Sequence, residues 1–166
     1  MDFINIMTYD MRGAFSHITG HHTNLMSYSE DSPVSAELSV RYLMEKGIPA
    51  DKLVIGSAFY GRIWEGFNTK VNNGLMEEAR ETGHKTMDYN ALDTLIKQYP
   101  ENCYFDDNAK SSYYFDGNQF ISYDSVQSIT DKVEFVRENK LRGIMFWEYS
   151  LDLTRTLFNA MVRAKN

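Results

Sequence analysis

Cysteine is almost missing from this 166-residue sequence: Cys103 stands alone. One thiol excludes an intramolecular disulfide and any multi-cysteine metal site. No apolar stretch approaches the ~18 uninterrupted residues that a membrane-spanning helix needs, so a membrane is not an expected partner. Basic residues are in the minority, 17 Lys and Arg against 23 Asp and Glu, for a net charge of −6. No basic cluster offsets phosphate repulsion, which sets nucleic acid aside as a partner. There is no internal repeat and no low-complexity tract. Residues 1–9 carry neither a basic start nor a small-residue cleavage site, so no secretory leader is read there. They read instead as a strand entered almost from residue 1, as expected of a chain cut from something longer.

What remains is ordinary for an ordered domain. Hydrophobic residues are 43% and charged residues 24%. A domain near 150 residues buries roughly 68–70% of its unfolded surface, enough for a core without disulfides. Aromatics reach 14%, with 11 Tyr, 10 Phe and 2 Trp. They fit first an aromatic core, and secondly a surface that stacks on and hydrogen-bonds a neutral polar ligand such as a sugar.

The pattern along the chain is strand, helix, strand. Phe3–Met7 is the first strand, followed by a polar loop from Asp10 to Asp31. Ser32-Pro33 resembles a helix start, with Val34, Leu38, Tyr42 and Leu43 on one face. Gly47 and Pro49 stop that helix. Leu53–Tyr60 is a near-continuous apolar run, suited to a strand buried in a parallel sheet. Residues 62–122 break the alternation. Helices are expected at Leu75–Glu81 and Tyr89–Tyr99, then short aromatic strands around 103–105, 112–115 and 119–121, with a hairpin turn at Asp116-Gly117-Asn118. A helix over 125–139, a strand at 143–147 and a last helix capped by Asp152, with Leu153, Leu157 and Met161 apolar, restore the alternation. The fold class is α/β with a small α+β insertion. Three parallel strands with helices on one side neither bury both sheet faces nor close a barrel. Self-association, or a supply of further strands from elsewhere, is therefore expected.

The strand ends carry the chemistry. They read Met7-Thr8-Tyr9-Asp10, Phe59-Tyr60-Gly61-Arg62 and Phe146-Trp147-Glu148. In parallel α/β folds the carboxyl ends of strands face the site. A tyrosine hydroxyl such as that of Tyr9 donates to an amide oxygen. A carboxylate such as Asp10 accepts from a sugar hydroxyl. Arg62 offers several donors in a fixed fork, and Trp147 offers a flat face for a pyranose ring. Trp64 is either a second platform or packing for the insert.

These segments together resemble the C-terminal part of a glycoside hydrolase family 18 chitinase. DFINIMTYD (residues 2–10) is similar to that family's sixth barrel strand and KLVIGSAFYGR (residues 52–62) to its seventh. Tyr123-Asp124 with its helix and LRGIMFWEYSLD (residues 141–152) are similar to the seventh helix and eighth strand. The resemblance implies that residues 1–62 and 123–166 are part of a (β/α)8 TIM barrel, its strands six to eight, and that residues 63–122 are the chitinase insertion domain. It implies hydrolysis of β-1,4-linked N-acetylglucosamine polymers with retention, the substrate's own acetamido oxygen attacking the anomeric carbon, an exception to the two-carboxylate scheme. Tyr9 would then hold the acetamido group, Asp10 would bind the neighbouring sugar, and Met7, Tyr60, Arg62 and Trp147 would line the sugar cleft. The partner implied is chitin or its oligosaccharides, with no cofactor. Family members are usually secreted or periplasmic.

One family element is absent. The D-x-x-D-x-D-x-E signature that carries the general acid does not occur in these residues. The 166-residue chain alone is therefore expected to be inactive, and a non-catalytic chitinase-like lectin stays open as an alternative. Three histidines, His17, His21 and His22, cluster after the first strand, and a metal site is one reading of them; the reading adopted has no metal. Glu148 is read as a rim carboxylate. The pairs Glu77-Glu78 and Asp106-Asp107 are read as surface charge.

Overall fold

The computed structural model describes residues 2–68 and 71–165. Two sheets share the chain. The first is parallel, with order β1 (Ile4–Ile6), β2 (Leu53–Ala58) and β8 (Gly143–Trp147). The second is antiparallel, with order β4 (Ala79–Asp88), β3 (Tyr60–Phe67), β7 (Gln119–Tyr123), β6 (Ser111–Phe115) and β5 (Cys103–Asp106). Helices α1 (Ala36–Glu45) and α3 (Val126–Glu138) cover one face of the parallel sheet, α4 (Thr156–Lys165) packs against α3, and α2 (Tyr89–Gln98) packs by the antiparallel sheet. No helix among the described residues is long and apolar enough to cross a membrane.

Register explains which face of the parallel sheet is covered. Ile6, Ile55 and Ile144 lie side by side across the three strands. They pack with Ala36 and Val40 of α1 and Phe135 of α3. Alternation sends Met7, Gly56, Ala58, Met145 and Trp147 to the other face. Its flanks are open, with Met7 70% and Trp147 56% exposed, whereas Gly56 and Ala58 between them are buried.

The expected elements hold with four corrections. The first helix begins not at Ser32-Pro33 but behind Ser35, whose hydroxyl accepts the Leu38 N–H at 3.0 Å. Ser32 and Pro33 are tied back into the loop by Ser29 and Ser27. The buried stripe is accordingly Ala36, Val40 and Leu43, while Val34 and Tyr42 are exposed. Second, the apolar run 53–60 is two strands. At Phe59 the chain leaves one sheet and enters the other, the ring of Phe59 stacking on Phe146 at 4.4 Å. Third, the helix expected at 75–81 is absent. Gly74 at φ 76° and Met76 at φ 59° are incompatible with it, and a Cβ at Gly74 would strike the Phe115 ring. The segment leads instead into β4, a charged edge strand of the kind that resists further pairing. Fourth, α4 starts at Thr156, so Leu153 is exposed, yet Asp152 does cap it: its carboxylate accepts the N–H groups of Thr156 at 2.9 Å and Phe158 at 3.0 Å.

One buried charge joins the pieces. The Lys132 ammonium on α3 is wholly buried and donates to both oxygens of Asp124, at 2.9 and 2.8 Å, and to Thr23 Oγ1 at 2.7 Å. Burial pulls its pKa down and Asp124 opposes that. Asp124 also accepts from the Thr23 hydroxyl, the Ala58 N–H and the Ser128 hydroxyl. The polar loop, the end of β2, the exit of β7 and α3 thus meet at one carboxylate.

Removing one partner of such a pair strands the other charge, at a cost of about 3–5 kcal/mol. Lys132→Met is expected to lose stability of that order in urea unfolding, and adding Asp124→Asn to recover much of it. The exposed apolar flanks of the parallel sheet should make the 166-residue chain on its own self-associate; light scattering is expected to show species larger than a monomer.

Candidate active site

Each strand ends in a residue placed by a local constraint. Thr8 ends β1 by locking onto β2: its hydroxyl donates to Gly56 O at 2.9 Å and accepts from Gly56 N–H at 2.7 Å. The next residue, Tyr9, lays its ring over Gly56, where a Cβ would come within 2.8 Å of Tyr9 Cε1. Tyr9 therefore lies on the same face as Met7 and Trp147, with the buried small residues Gly56 and Ala58 on the strand between them. Trp147 lies opposite Ala58 in the register, and its carbonyl accepts the Phe59 N–H at 2.8 Å. The peptide from Trp147 to Glu148 is cis.

Asp10 is the electrostatic centre of the rim. One oxygen, Oδ1, accepts from Arg62 Nε at 2.6 Å and from the Tyr60 hydroxyl at 2.7 Å. Arg62 donates in addition to Gly83 O of β4 at 3.0 Å and rests on Gly13. Burial acts to raise the Asp10 pKa, but its contacts with His22, Arg62 and Tyr60 outweigh it and hold the carboxyl well below the usual carboxylate range. A depressed pKa of this kind stabilises the fold above the unfolded value of ~3.9 and is lost as pH falls through the folded value. The side chain is 42% exposed, so screening keeps that contribution small.

The phenols stay protonated. Burial first, then the neighbouring Asp10, pushes both Tyr9 and Tyr60 upward. The two differ in commitment. Tyr60 spends its proton on Asp10, whereas the Tyr9 hydroxyl finds no hydrogen-bond partner among the described residues. Tyr9 is thus an uncommitted donor on an open face beside an uncommitted indole.

The six residues named from sequence stand at the strand ends: Asp10, Tyr60 and Arg62 are joined by hydrogen bonds, Tyr9 meets Tyr60 edge to face, and Met7 and Trp147 are exposed on the same sheet face as Tyr9. The other candidates disperse. Trp64 is fully buried and donates to Ser16 O at 2.9 Å, so it is packing and not a platform. The three histidines turn to three partners: His17 to Ala79 O, His21 to Asp106 and His22 to Asp10. Asp106 corrects the surface reading of the Asp106-Asp107 pair, since its carboxylate meets the buried His21 ring at 3.0 Å and accepts the Asn108 and Ala109 N–H groups. Asp107 is exposed. Glu148 accepts from Ser150. Sequence reasoning passed over His22 beneath Asp10 and the Thr8–Gly56 lock; a histidine pair in a polar loop carries no periodicity that would single one out.

The model of the family "Glycosyl hydrolases family 18" matches residues 1–152. The chain belongs to glycosyl hydrolase family 18. Its three parallel strands are the last three of that family's (β/α)8 barrel, and the antiparallel sheet is an insertion. Among curated relatives, Chitinase A1 of Niallia circulans is 31% identical over 180 residues, covering 97% of this chain and 25% of that protein. Two solved structures superpose well. A family 18 N-acetylglucosaminidase from Paenibacillus barengoltzii has a TM-score of 0.88 at 38% identity, over 99% of this chain and 49% of that one. A chitinase-like agglutinin from Robinia pseudoacacia has a TM-score of 0.86 at 26% identity, over 100% of this chain and 48% of that one. The chain thus spans a quarter to about half of the length of these family 18 proteins.

Arg62 is one of the groups that hold Asp10 ionised, and it also reaches β4. A lysine offers no planar fork to do both. Arg62→Lys is expected to raise the Asp10 pKa toward ~3.9, as read by NMR titration of the carboxyl carbon.

Proposed function

We propose that this chain supplies the acetamide-holding and sugar-binding side of a retaining site that cleaves β-1,4-linked N-acetylglucosamine polymers. The observation that carries the reading is the free Tyr9 hydroxyl. It is a protonated donor without a partner among the described residues, set on the same open face as the bare Trp147 indole. A sugar stacked on Trp147 would present its acetamido group to Tyr9. Holding that group fixes the acetamido oxygen in line with the anomeric carbon, so part of the entropic barrier is met on binding. The oxygen attacks as the glycosidic bond breaks, and water later opens the cyclic intermediate with retention. Asp10, held by Arg62 and Tyr60 through Oδ1, offers Oδ2 to a hydroxyl of the neighbouring sugar.

Protonation of the leaving oxygen requires a general acid, and none of the carboxylates at this cleft serves. Asp10 is held ionised, and the D-x-x-D-x-D-x-E acid is not in these residues. We infer that the 166 residues alone are inactive and that the acid comes from another segment of the barrel. Absence of an acid of suitable pKa removes about 10²–10⁴-fold of rate. A second reading is favoured by the likeness to an agglutinin: the same cleft without an acid would bind N-acetylglucosamine oligomers and not cleave them.

The test is a complete family barrel that carries this chain, assayed on N-acetylglucosamine oligomers. Tyr9→Phe should lower kcat on the order of 10²-fold, as for loss of a donor used in the transition state, with little change in KM. Trp147→Ala should weaken oligomer binding roughly tenfold by calorimetry. Unchanged turnover in the first variant would overturn the role of Tyr9. Tight binding without turnover in the unmodified protein would decide for the lectin.

A further inference from the structure

His22 is fully buried, directly beneath the cleft rim, and no step of the proposed chemistry uses it. Its backbone is pinned on both sides, N–H to Ser122 Oγ at 3.0 Å and carbonyl from Met11 N–H at 3.0 Å. Its ring lies against Tyr60 with centroids 5.3 Å apart. These contacts fix where the imidazole sits.

The ring aims Nδ1 at Asp10. The Asp10 backbone N–H donates to Nδ1 at 3.4 Å, and the carboxylate Oδ1 lies 3.6 Å from the same nitrogen. Asp10 gains from such a rest, because its backbone is left-handed, at φ 57°, a region uncommon for residues with a side chain and one that Asp enters more readily than most. An Nδ1 that accepts carries no proton, so the neutral ring bears its proton on Nε2. Nε2 is buried and has no partner among the described residues. A side chain kept only for packing would avoid that cost. The charged groups facing the ring are Asp10, Asp124 and Arg62; burial is the strongest influence and keeps the imidazole neutral.

We propose that His22 is a positioning residue: its unprotonated Nδ1 holds the Asp10 amide, fixes the left-handed turn and so aims the Asp10 carboxylate at the sugar next to the scissile one. The proposal rests on the reading of Asp10 as a sugar-binding residue. Its consequence is specific to one atom. Asparagine places an acceptor oxygen where Nδ1 stands. Glutamine carries its amide one bond further, where Nε2 stands.

The experiment uses the whole protein that carries this chain, with N-acetylglucosamine oligomers as substrate. His22→Gln is expected to raise KM roughly fivefold, the worth of one lost hydrogen bond, with kcat nearly unchanged, because only binding is misaimed. His22→Asn is expected to recover most of that loss. Equal KM values for the two variants, or a fall in kcat with KM unmoved, would overturn the proposal, the second because it reports lost folded protein. Nitrogen-15 NMR of histidine-labelled protein without sugar is an independent test: His22 Nδ1 should resonate as an unprotonated nitrogen, and a protonated Nδ1 refutes the arrangement. If the unmodified protein neither binds nor cleaves the oligomers, the sugar reading fails, and the NMR result alone decides whether His22 holds Asp10.

Discussion

The Lys132 ammonium is sealed from solvent, and the architecture follows from satisfying it. A buried charge is tolerable only when it is paired and its partner's remaining lone pairs are filled. Here the partner, Asp124, takes hydrogen bonds from the polar loop, the end of β2 and the first turn of α3 at once. Each of those segments leads directly to the cleft. Ala58 precedes the turn that delivers Tyr60 and Arg62. Thr23 follows His22 in the loop that returns from Asp10. Displacing any one of them leaves a lone pair of the buried carboxylate unfilled, so the network favours one arrangement of the rim as well as contributing to its stability.

Within the rim the side chains divide into those that hold and those that are held open. Arg62 and Tyr60 spend their donors on one oxygen of Asp10. Arg62 also reaches Gly83, so the antiparallel sheet takes part in setting that carboxylate. Tyr9 and Trp147, by contrast, are placed by sterics: a glycine beneath one ring and a strand register beneath the other. An open site built this way keeps its strongest polar groups satisfied without ligand while leaving one hydroxyl and one indole uncommitted.

Much of this was legible in the sequence, for reasons that can be stated residue by residue. The parallel strands announced themselves because Leu53–Ile55 and Gly143–Trp147 are near-continuous apolar runs. Strand ends pointed to the cleft because Tyr, Asp, Arg and Trp followed those runs without a gap. The start of α1 was misread because Ser32-Pro33 carries a helix-start signal as good as that of Ser35, and only tertiary ties to Ser27 and Ser29 decide between them. Strand β4 was invisible because an edge strand such as Ala79–Asp88 is charged along its length and has no period-2 apolar pattern. His22 and Lys132 were hidden for a different reason: a polar residue gives no sign in sequence that it will be buried, since its partners Asp10 and Asp124 come from distant segments.

The passage at Phe59 has a mechanical meaning. One residue separates the last parallel pairing, Ala58, from the first antiparallel one, Tyr60, and its ring is wedged on Phe146. On the return path Tyr123 leaves β7 straight into the Lys132–Asp124 pair. Neither crossing contains a linker, so the insertion has no joint about which to swing. Arg62, on the first strand of the insertion, holds Asp10 and the neighbouring strand at Gly83 together, so the rim and the insertion are built as one piece.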